Sequence, residues 1–334
     1  MKRGLLAAWL LALAVTASAS PLRIYFIDVE GGQSTLVVSP TGASMLIDAG
    51  WPGNNGRDAN RILDAAKAAG LTQIDFLVVT HYHVDHAGGV APLAEKIKIG
   101  TFVDHGPNRE DSDDTRANYA AYQKAIGNAK HLVVKPGDRI PISGLDVTVV
   151  SADGNLISEP LPGAGESNPL CSSETAAPDD NSENPYSVGV LISYGKLRVL
   201  DMGDLTKQKE LRIACPRNLI GKVDLFVVTH HGTALSNSKA LVHAIQPRVA
   251  TMDNGARKGG SVEAWQTVHD SPGLADLWQL HYAMASGKDH NVGDDFIANL
   301  EEKCAGKSLA VSGEADGTLT VTNARNSFSK TYKK

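Results

Sequence analysis

Short apolar runs, punctuated by Gly, Pro, Asn and Asp, recur along the chain with periods that switch between strand-like and helix-like spacing. Leu22 to Asp28 alternates and then runs apolar, which predicts a strand. Gly31 to Ser34 reads as a turn, Thr35 to Val38 as the returning arm of a hairpin, and Met45 to Ile47 as a third strand ending at Asp48-Ala49-Gly50. Between Arg57 and Ala69 the residues Ile62, Leu63, Ala66 and Ala69 fall on one side, which predicts a helix stopped by Gly70. Ile74 to Val79 reads as a buried strand, Gly89 to Lys96 as a short helix, Lys98 to Val103 as a strand and alanine-rich Ala117 to Lys130 as a helix. Strands are expected at Leu132 to Val134 and Leu145 to Val150, on either side of a Pro/Gly turn.

Ser151 to Pro185 breaks this rhythm with a long polar stretch rich in Pro, Gly, Ser and Asn, of a length that in a compact domain usually carries function. Regular spacing then resumes. Tyr186 to Ser193 and Leu197 to Leu200 predict a hairpin, Lys207 to Ala214 a helix, and Val223 to Val228 a strand. Helices are expected at Ser238 to Ile245, Val262 to His269 and Gly273 to Trp278, with a strand at Val249 to Thr251 and a late hairpin at Leu309 to Val311 and Thr318 to Thr322.

An internal echo organises these elements. Ile74-Asp75-Phe76-Leu77-Val78-Val79-Thr80-His81 is nearly repeated as Val223-Asp224-Leu225-Phe226-Val227-Val228-Thr229-His230. Upstream of each copy a strand ends in Asp-x-Gly, at Asp48-Ala49-Gly50 and Asp201-Met202-Gly203. Two halves with one strand–helix–strand–His order predict a duplicated unit whose strand ends converge on one cleft.

The strongest chemical signal follows the first copy. His81, His83, Asp85 and His86 crowd directly behind an apolar strand, and imidazoles and carboxylates are the ligands zinc prefers. In an extended segment His81 and His83 point the same way. Asp85 and His86 lie where the chain turns into a helix, so one short segment offers ligands to two adjacent metal ions.

Composition narrows the picture. The chain has 334 residues and is 42% hydrophobic, enough for a large core in one domain spanning 20–334. Lys2 and Arg3, an apolar run from Leu5 to Val15 and Ala17-Ser18-Ala19 form an export leader pattern, with cleavage expected after Ala19. The protein is therefore expected to be exported, periplasmic or secreted, with no membrane span in the mature chain. Net charge is −5, and loss of Lys2 and Arg3 gives −5 − 2 = −7. No basic stripe supplies phosphate contacts, so a stable nucleic-acid complex is not expected. Of the three cysteines, Cys171 and Cys215 are the preferred disulfide pair because both lie in loop-like, Pro-containing stretches; three free buried thiols are the alternative.

His81-x-His83-x-Asp85-His86, Gly203-Asp204 and His230, in that order, resemble the metallo-β-lactamase superfamily. The closest similarity is to its competence-type nuclease-domain branch, through Ile27-Asp28-Val29-Glu30-Gly31-Gly32-Gln33-Ser34, Asn184-Pro185-Tyr186-Ser187-Val188 and His230-His231-Gly232-Thr233. The resemblance implies a four-layer αβ/βα sandwich of two pseudo-symmetric halves with metals at one edge of the sheets. It also implies that His81 and His83 bind a first metal, that Asp85, His86 and His230 bind a second, and that Asp204 bridges both. Asp48 would orient the histidine loop by accepting from a ligand imidazole. His230 is preferred to His231 because it mirrors His81 in the echo. Most relatives place another histidine shortly before the bridging aspartate. Asn184 stands there instead, as a weak ligand, a substrate contact or a turn cap.

The expected cofactors are two divalent ions, zinc foremost and manganese as an alternative. The expected activity is phosphoester hydrolysis, nuclease-like or phosphodiesterase-like, on a small-molecule or nucleic-acid substrate. Asp85 would orient the nucleophile, and His231 would donate a proton. Asn254, Arg257 and Lys258, in a Gly-rich turn, are candidate substrate contacts, with a solvated basic turn as the alternative, and His281 either reaches the cleft as a further contact or is a satisfied core histidine. Hydrolysis of a lactam, lactone or thioester, and a metal-stabilised binding protein without catalysis, are the competing readings.

Overall fold

The structure is a computed structural model and describes residues 20–175, 178–179 and 181–334, so the expected leader lies outside the described residues. No helix among the described residues is long and apolar enough to cross a membrane. The first half runs β1 (Leu22–Phe26), β2 (Thr35–Val38), β3 (Ser44–Ile47), α1 (Arg57–Ala68), β4 (Gln73–Val78), α2 (Val84–Ala87), α3 (Val90–Ala94), β5 (Lys98–Asp104), α4 (Asp113–Ile126) and β6 (Lys130–Val133). The second runs β7 (Arg139–Ile140), β8 (Asp146–Ala152), β9 (Asn155–Leu156), β10 (Gly189–Tyr194), β11 (Leu197–Asp201), α5 (Lys207–Ala214), β12 (Leu225–Val227), α6 (Lys239–Ile245), β13 (Val249–Met252), α7 (Val262–His269), β14 (Asp276–His281) and β15 (Ile297–Asn299). Three further strands, β16 (Leu309–Gly313), β17 (Leu319–Asn323) and β18 (Ser329–Tyr332), return to the first sheet.

The sheet orders are β18-β17-β16-β1-β2-β3-β4-β5-β6 and β15-β14-β13-β12-β11-β10-β8-β7, with β9 beside β8. The echo in the sequence is an echo in topology. In each half an antiparallel trio passes into parallel strands, β1-β2-β3 then β4 and β5, and β8-β10-β11 then β12 and β13.

Strand alternation explains the layers. Along β3, Met45 and Ile47 face the second sheet, where they join Val190, Val199, Leu225 and Trp278, while Leu46 faces the helices. Leu46 and Leu77 pack on Ile62 and Ala66 of α1 and on Leu93 of α3. Phe226 and Ala250 pack on Ile213, Leu241, Val242 and Val268 of α5, α6 and α7. Both faces of the central strands β3, β12 and β13 are buried, which is why these strands read as continuous apolar runs. The result is a four-layer α/β sandwich.

Two expected elements differ. The stretch Gly273 to Trp278 does not form a helix; Asp276–His281 is strand β14, paired in parallel with β13 and β15. Its run Leu277-Trp278-Gln279-Leu280 alternates between the two cores, and six residues are too few for periodicity to separate strand from helix. Helix α4 begins four residues before the expected start, because Ser112 accepts the Thr115 N–H and Asp113 and Asp114 occupy the first turn, and it stops at Gly127. Cys171 and Cys215 form the expected disulfide and pin the long loop to the end of α5.

Candidate metal centre

The ends of four strands converge. Asp48 follows β3, Thr80-His81 follows β4, Asp201-Met202-Gly203-Asp204 closes β11, and Thr229-His230-His231 follows β12. Gly203 (φ 54) makes the approach of the halves feasible, since a Cβ there would lie 2.8 Å from Thr80 Cβ.

Asp48 anchors the first half. Its two oxygens accept the Thr80 N–H at 2.8 Å and the Thr80 hydroxyl at 2.7 Å, and Oδ2 lies 2.7 Å from His86 Nδ1. That contact turns His86 Nε2 inward, to 3.2 Å from Asp85 Oδ2, 3.3 Å from Asp204 Oδ2 and 3.1 Å from His231 Nε2. His231 Nε2 in turn lies 3.2 Å from Asp85 Oδ2 and 3.5 Å from Asp204 Oδ1. The ligand atoms of Asp85, His86, Asp204 and His231 all fall within 4.8 Å of one another.

A second group of donors lies beside the first. His81 Nε2 is 3.0 Å from His83 Nδ1 and 3.9 Å from Asp204 Oδ2, and His230 Nε2 is 3.2 Å from the same oxygen. His230 and His231 both adopt left-handed backbone conformations, φ 56 and 54, so the chain reverses and sets the two rings on different oxygens of Asp204.

The outer nitrogens are occupied. His81 Nδ1 meets Thr80 Oγ1 at 3.0 Å, His83 Nε2 meets Glu110 Oε2 at 2.8 Å, His230 Nδ1 meets Ser236 Oγ at 3.3 Å, and His231 Nδ1 meets the Asp253 carbonyl at 3.2 Å. Because Thr80 gives its proton to Asp48, it accepts from His81. With these acceptors outside, lone pairs of five imidazoles and the carboxylates of Asp85 and Asp204 face one another. Asp204 Oδ1 is buried without a hydrogen-bond partner. Such a donor set suits a pair of borderline divalent cations with oriented histidines.

The electrostatics of the bare chain agree. Burial alone would raise Asp85, yet His86 and His231 hold it well below the usual carboxylate range. Burial likewise opposes ionisation of Asp204, but His230, His86 and His231 hold it well down. His86 is raised, against burial, by Asp204, Asp85 and Asp48, so a proton stands where a cation would. Burial lowers His81 well below its ordinary value and takes His230 to about 4.

Several expected residues take other places. The preference for His230 over His231 does not match the geometry: His231 faces Asp85 and His86, and His230 reaches only Asp204. His281 is fully buried with Nε2 2.7 Å from Asp28 Oδ1, so it is not a substrate contact. Asn254 is buried and donates to the Gly255 and His281 carbonyls, holding the turn rather than a ligand. Arg257 is spent on Glu302, with N–O distances of 2.5 and 2.9 Å. Lys258 does reach the centre, where its ammonium meets Asp85 Oδ2. Asn184 is buried, and its Oδ1 has no partner.

The sequence reading missed Thr80, Glu110 and Glu183. Glu183 Oε2 accepts the Tyr82 N–H at 3.2 Å and lies 3.0 Å from His105 Nε2, and the Glu183 N–H donates to Glu110 Oε2 at 2.9 Å. The only prior signal was the run of carboxylates in the loop after β5.

Residues 27–166 match the family profile described as the metallo-β-lactamase superfamily. Recombination protein 2 of Haemophilus influenzae is 26% identical over 231 residues, covering 69% of this chain and 24% of that protein. ComE operon protein 3 of Bacillus subtilis is 24% identical over 242 residues, covering 69% of this chain and 28% of that protein. The chain thus spans about a quarter of the length of these curated relatives. Among solved structures, CmlA, a diiron β-hydroxylase from Streptomyces venezuelae, is 17% identical with a TM-score of 0.42, over 78% of this chain and 48% of that one. Over residues 27–166 the chain thus matches the metallo-β-lactamase superfamily, the family that its histidine motif resembles.

Proposed function

We propose that the protein is an exported, dinuclear-metal-dependent phosphoester hydrolase. The observation that carries this reading is the convergence of the His81, His86, His230 and His231 nitrogens on the oxygens of Asp204, with His83 against His81, Asp85 against His86 and His231, and the Lys258 ammonium at the edge of the same cluster. His81 and His83 would hold one ion, Asp85, His86 and His231 the other, and Asp204 both. His230 remains at Asp204 Oδ2, within reach of the first ion. Zinc fits the nitrogen-rich donors, and manganese fits if the orphaned Asn184 oxygen completes the first set. When bound, such ions supply a hydroxide-strength nucleophile near neutral pH and Lewis acidity at the ester oxygen.

The chain's own residues do the rest. Asp48, Thr80 and Glu110 fix the rings of His86, His81 and His83, so no reorganisation is needed during turnover. Lys258, with its side chain 36% exposed, is placed to pair with a substrate anion, which favours a phosphodiester over a neutral lactam. Asn184, where many relatives carry a histidine, points the same way. The name Recombination protein 2 supports a nucleic-acid ancestry, while the net charge of −5 favours small phosphoesters over a long duplex. The leader pattern and the Cys171–Cys215 disulfide support export.

The test is a parallel substrate panel on zinc- and manganese-loaded protein: bis-p-nitrophenyl phosphate, nitrocefin and a lactone. Turnover of the phosphodiester, abolished by Asp204→Asn with the fold retained, is the expected result. Hydrolysis of nitrocefin alone would overturn the phosphoester assignment. Metal binding with no turnover of any ester would point to a binding protein.

A further inference from the structure

A separate set of donors lies away from the histidine centre. Asp28 follows β1 in the first sheet, Glu30 is two residues on, His281 ends β14 in the second sheet, and Cys304 sits in the connection from β15 to β16. One ligand atom from each falls within 4.8 Å of all the others. His281 Nε2 lies 2.7 Å from Asp28 Oδ1, and Cys304 Sγ lies 3.4 Å from Asp28 Oδ2 and 3.5 Å from Glu30 Oε1. Asp28 and His281 are fully buried, and Glu30 and Cys304 are partly exposed, so the group runs from the core to solvent.

We propose that Asp28, Glu30, His281 and Cys304 form a third cation site, distinct from the histidine centre, that takes a zinc-like divalent ion and clamps the two halves of the fold together. The chemistry is that of a mixed O, N and S donor set, which selects borderline ions over calcium or magnesium. Two details support a ligand over simple packing. His281 reaches over from the second sheet and turns its Nε2 onto Asp28 Oδ1 at 2.7 Å, so a nitrogen and an oxygen donor from different sheets meet in the buried part of the group. Cys304 is the chain's one thiol outside a disulfide, and it points at two carboxylates rather than into apolar core.

Arg61 is the competing partner. Its guanidinium reaches Asp28 Oδ2 at 3.1 Å and Glu30 Oε1 at 3.0 Å from the α1 side. It leaves Glu30 Oε2, His281 Nε2, Cys304 Sγ and Asp28 Oδ1, which also accepts the Glu30 N–H at 2.9 Å, to a cation, and with Arg57, 3.8 Å from Glu30 Oε1, it can stay as a neighbour of the carboxylates, as is common around metal ligands. Burial, and then Asp28, push the Cys304 thiol up to about 12, so the sulfur is protonated without an ion. Binding would form the metal–thiolate bond and release that proton to solvent.

The test uses the only available thiol as a reporter, since the histidine centre has no sulfur. Chelator-stripped full-length protein is loaded with cobalt(II) and read in the near ultraviolet for thiolate-to-cobalt charge transfer. The band is expected in the native protein and in Asp204→Asn, which weakens the histidine centre, and is expected to vanish in Cys304→Ser. Cys304 should also resist Ellman's reagent when loaded and react after chelation. Should Cys304→Ser not fold, zinc-edge EXAFS on the unaltered protein reads the same point, as a sulfur shell at about 2.3 Å. Cobalt uptake without the band, or equal thiol reactivity with and without metal, would overturn the proposal and leave an Arg61-centred ion-pair network.

Discussion

Glu110 receives His83: His83 Nε2 lies 2.8 Å from Glu110 Oε2, and that same oxygen accepts the backbone N–H of Glu183 at 2.9 Å. One carboxylate therefore ties the histidine segment to the end of the long polar loop. Glu183 returns the favour by holding Tyr82 N and His105. The loop after β5 is thus a brace for His83, turning its Nδ1 toward His81.

Removing such an outer acceptor typically costs about 10- to 100-fold in metal affinity. Glu110→Ala is expected to lose the more weakly held ion first, by about that factor, with the second retained. Competition against a chromophoric chelator would measure it. Glu110→Gln keeps an acceptor oxygen and should lie between the two. Unchanged affinity in Glu110→Ala would mean that His83 is not a ligand.

The tandem histidines make a sharper comparison. His231 faces Asp85, His86 and Asp204, whereas His230 touches only Asp204 among these. His231→Ala should therefore remove about one equivalent of metal and nearly all turnover. His230→Ala should keep most of the metal and lose a smaller part of kcat. Metal analysis of the two purified variants decides the order, and the reverse ranking would restore the assignment that the sequence echo suggested.

That echo shows how far sequence alone reaches. It placed Asp48, His81, Asp204 and the tandem histidines at strand ends, because buried parallel strands are legible as apolar runs and ligands follow where they stop. It favoured His230, whereas the left-handed turn at both residues sets the two rings on different oxygens of Asp204 and brings His231 also to Asp85 and His86, and no periodicity encodes that. Strand β14 was hidden for a related reason: six residues buried on both faces carry no helix-versus-strand signature. Glu110 and Glu183 were invisible because they act through a loop contact 73 residues apart. Asn254 lies in the core instead of facing a ligand, because its side-chain amide donates to the His281 carbonyl and accepts the His281 N–H, contacts that nothing in the local sequence encodes.

Lys258 supplies the charge at the mouth of the centre, and its ammonium also lies 5.2 Å from the Trp51 ring centroid. A hydrogen bond to a charged group is worth about 1.5–3 kcal/mol, which is roughly 10- to 100-fold in kcat/KM. If the proposed phosphodiester hydrolysis holds, Lys258→Met should lose that much on an anionic substrate, and raising the ionic strength should weaken turnover by the native protein more than by the variant. A loss that is independent of substrate charge and salt would assign Lys258 to folding instead.

Glu210 gives the pH dependence a definite sign. In α5 its two oxygens accept the Asn237 N–H at 3.0 Å and the Ser238 N–H at 2.6 Å, and Asn237 in turn donates to the Thr229 carbonyl at 2.9 Å, so this carboxyl supports the turn that carries His230 and His231. Burial raises it from 4.5 to about 7. A folded-state value above the unfolded one means that the folded chain holds the proton more tightly. The stability it contributes is complete below about pH 4.5 and is lost as pH rises through about 7, by up to about 3 kcal/mol. Glu210→Gln does not titrate and should show no such loss. Urea unfolding of chelator-stripped native and variant protein should therefore give a stability difference, native minus variant, that falls by about that amount between pH 4.5 and pH 8. A difference that stays flat, or rises with pH, would mean that Glu210 is ionised in the folded chain and is stabilised there by the two backbone donors.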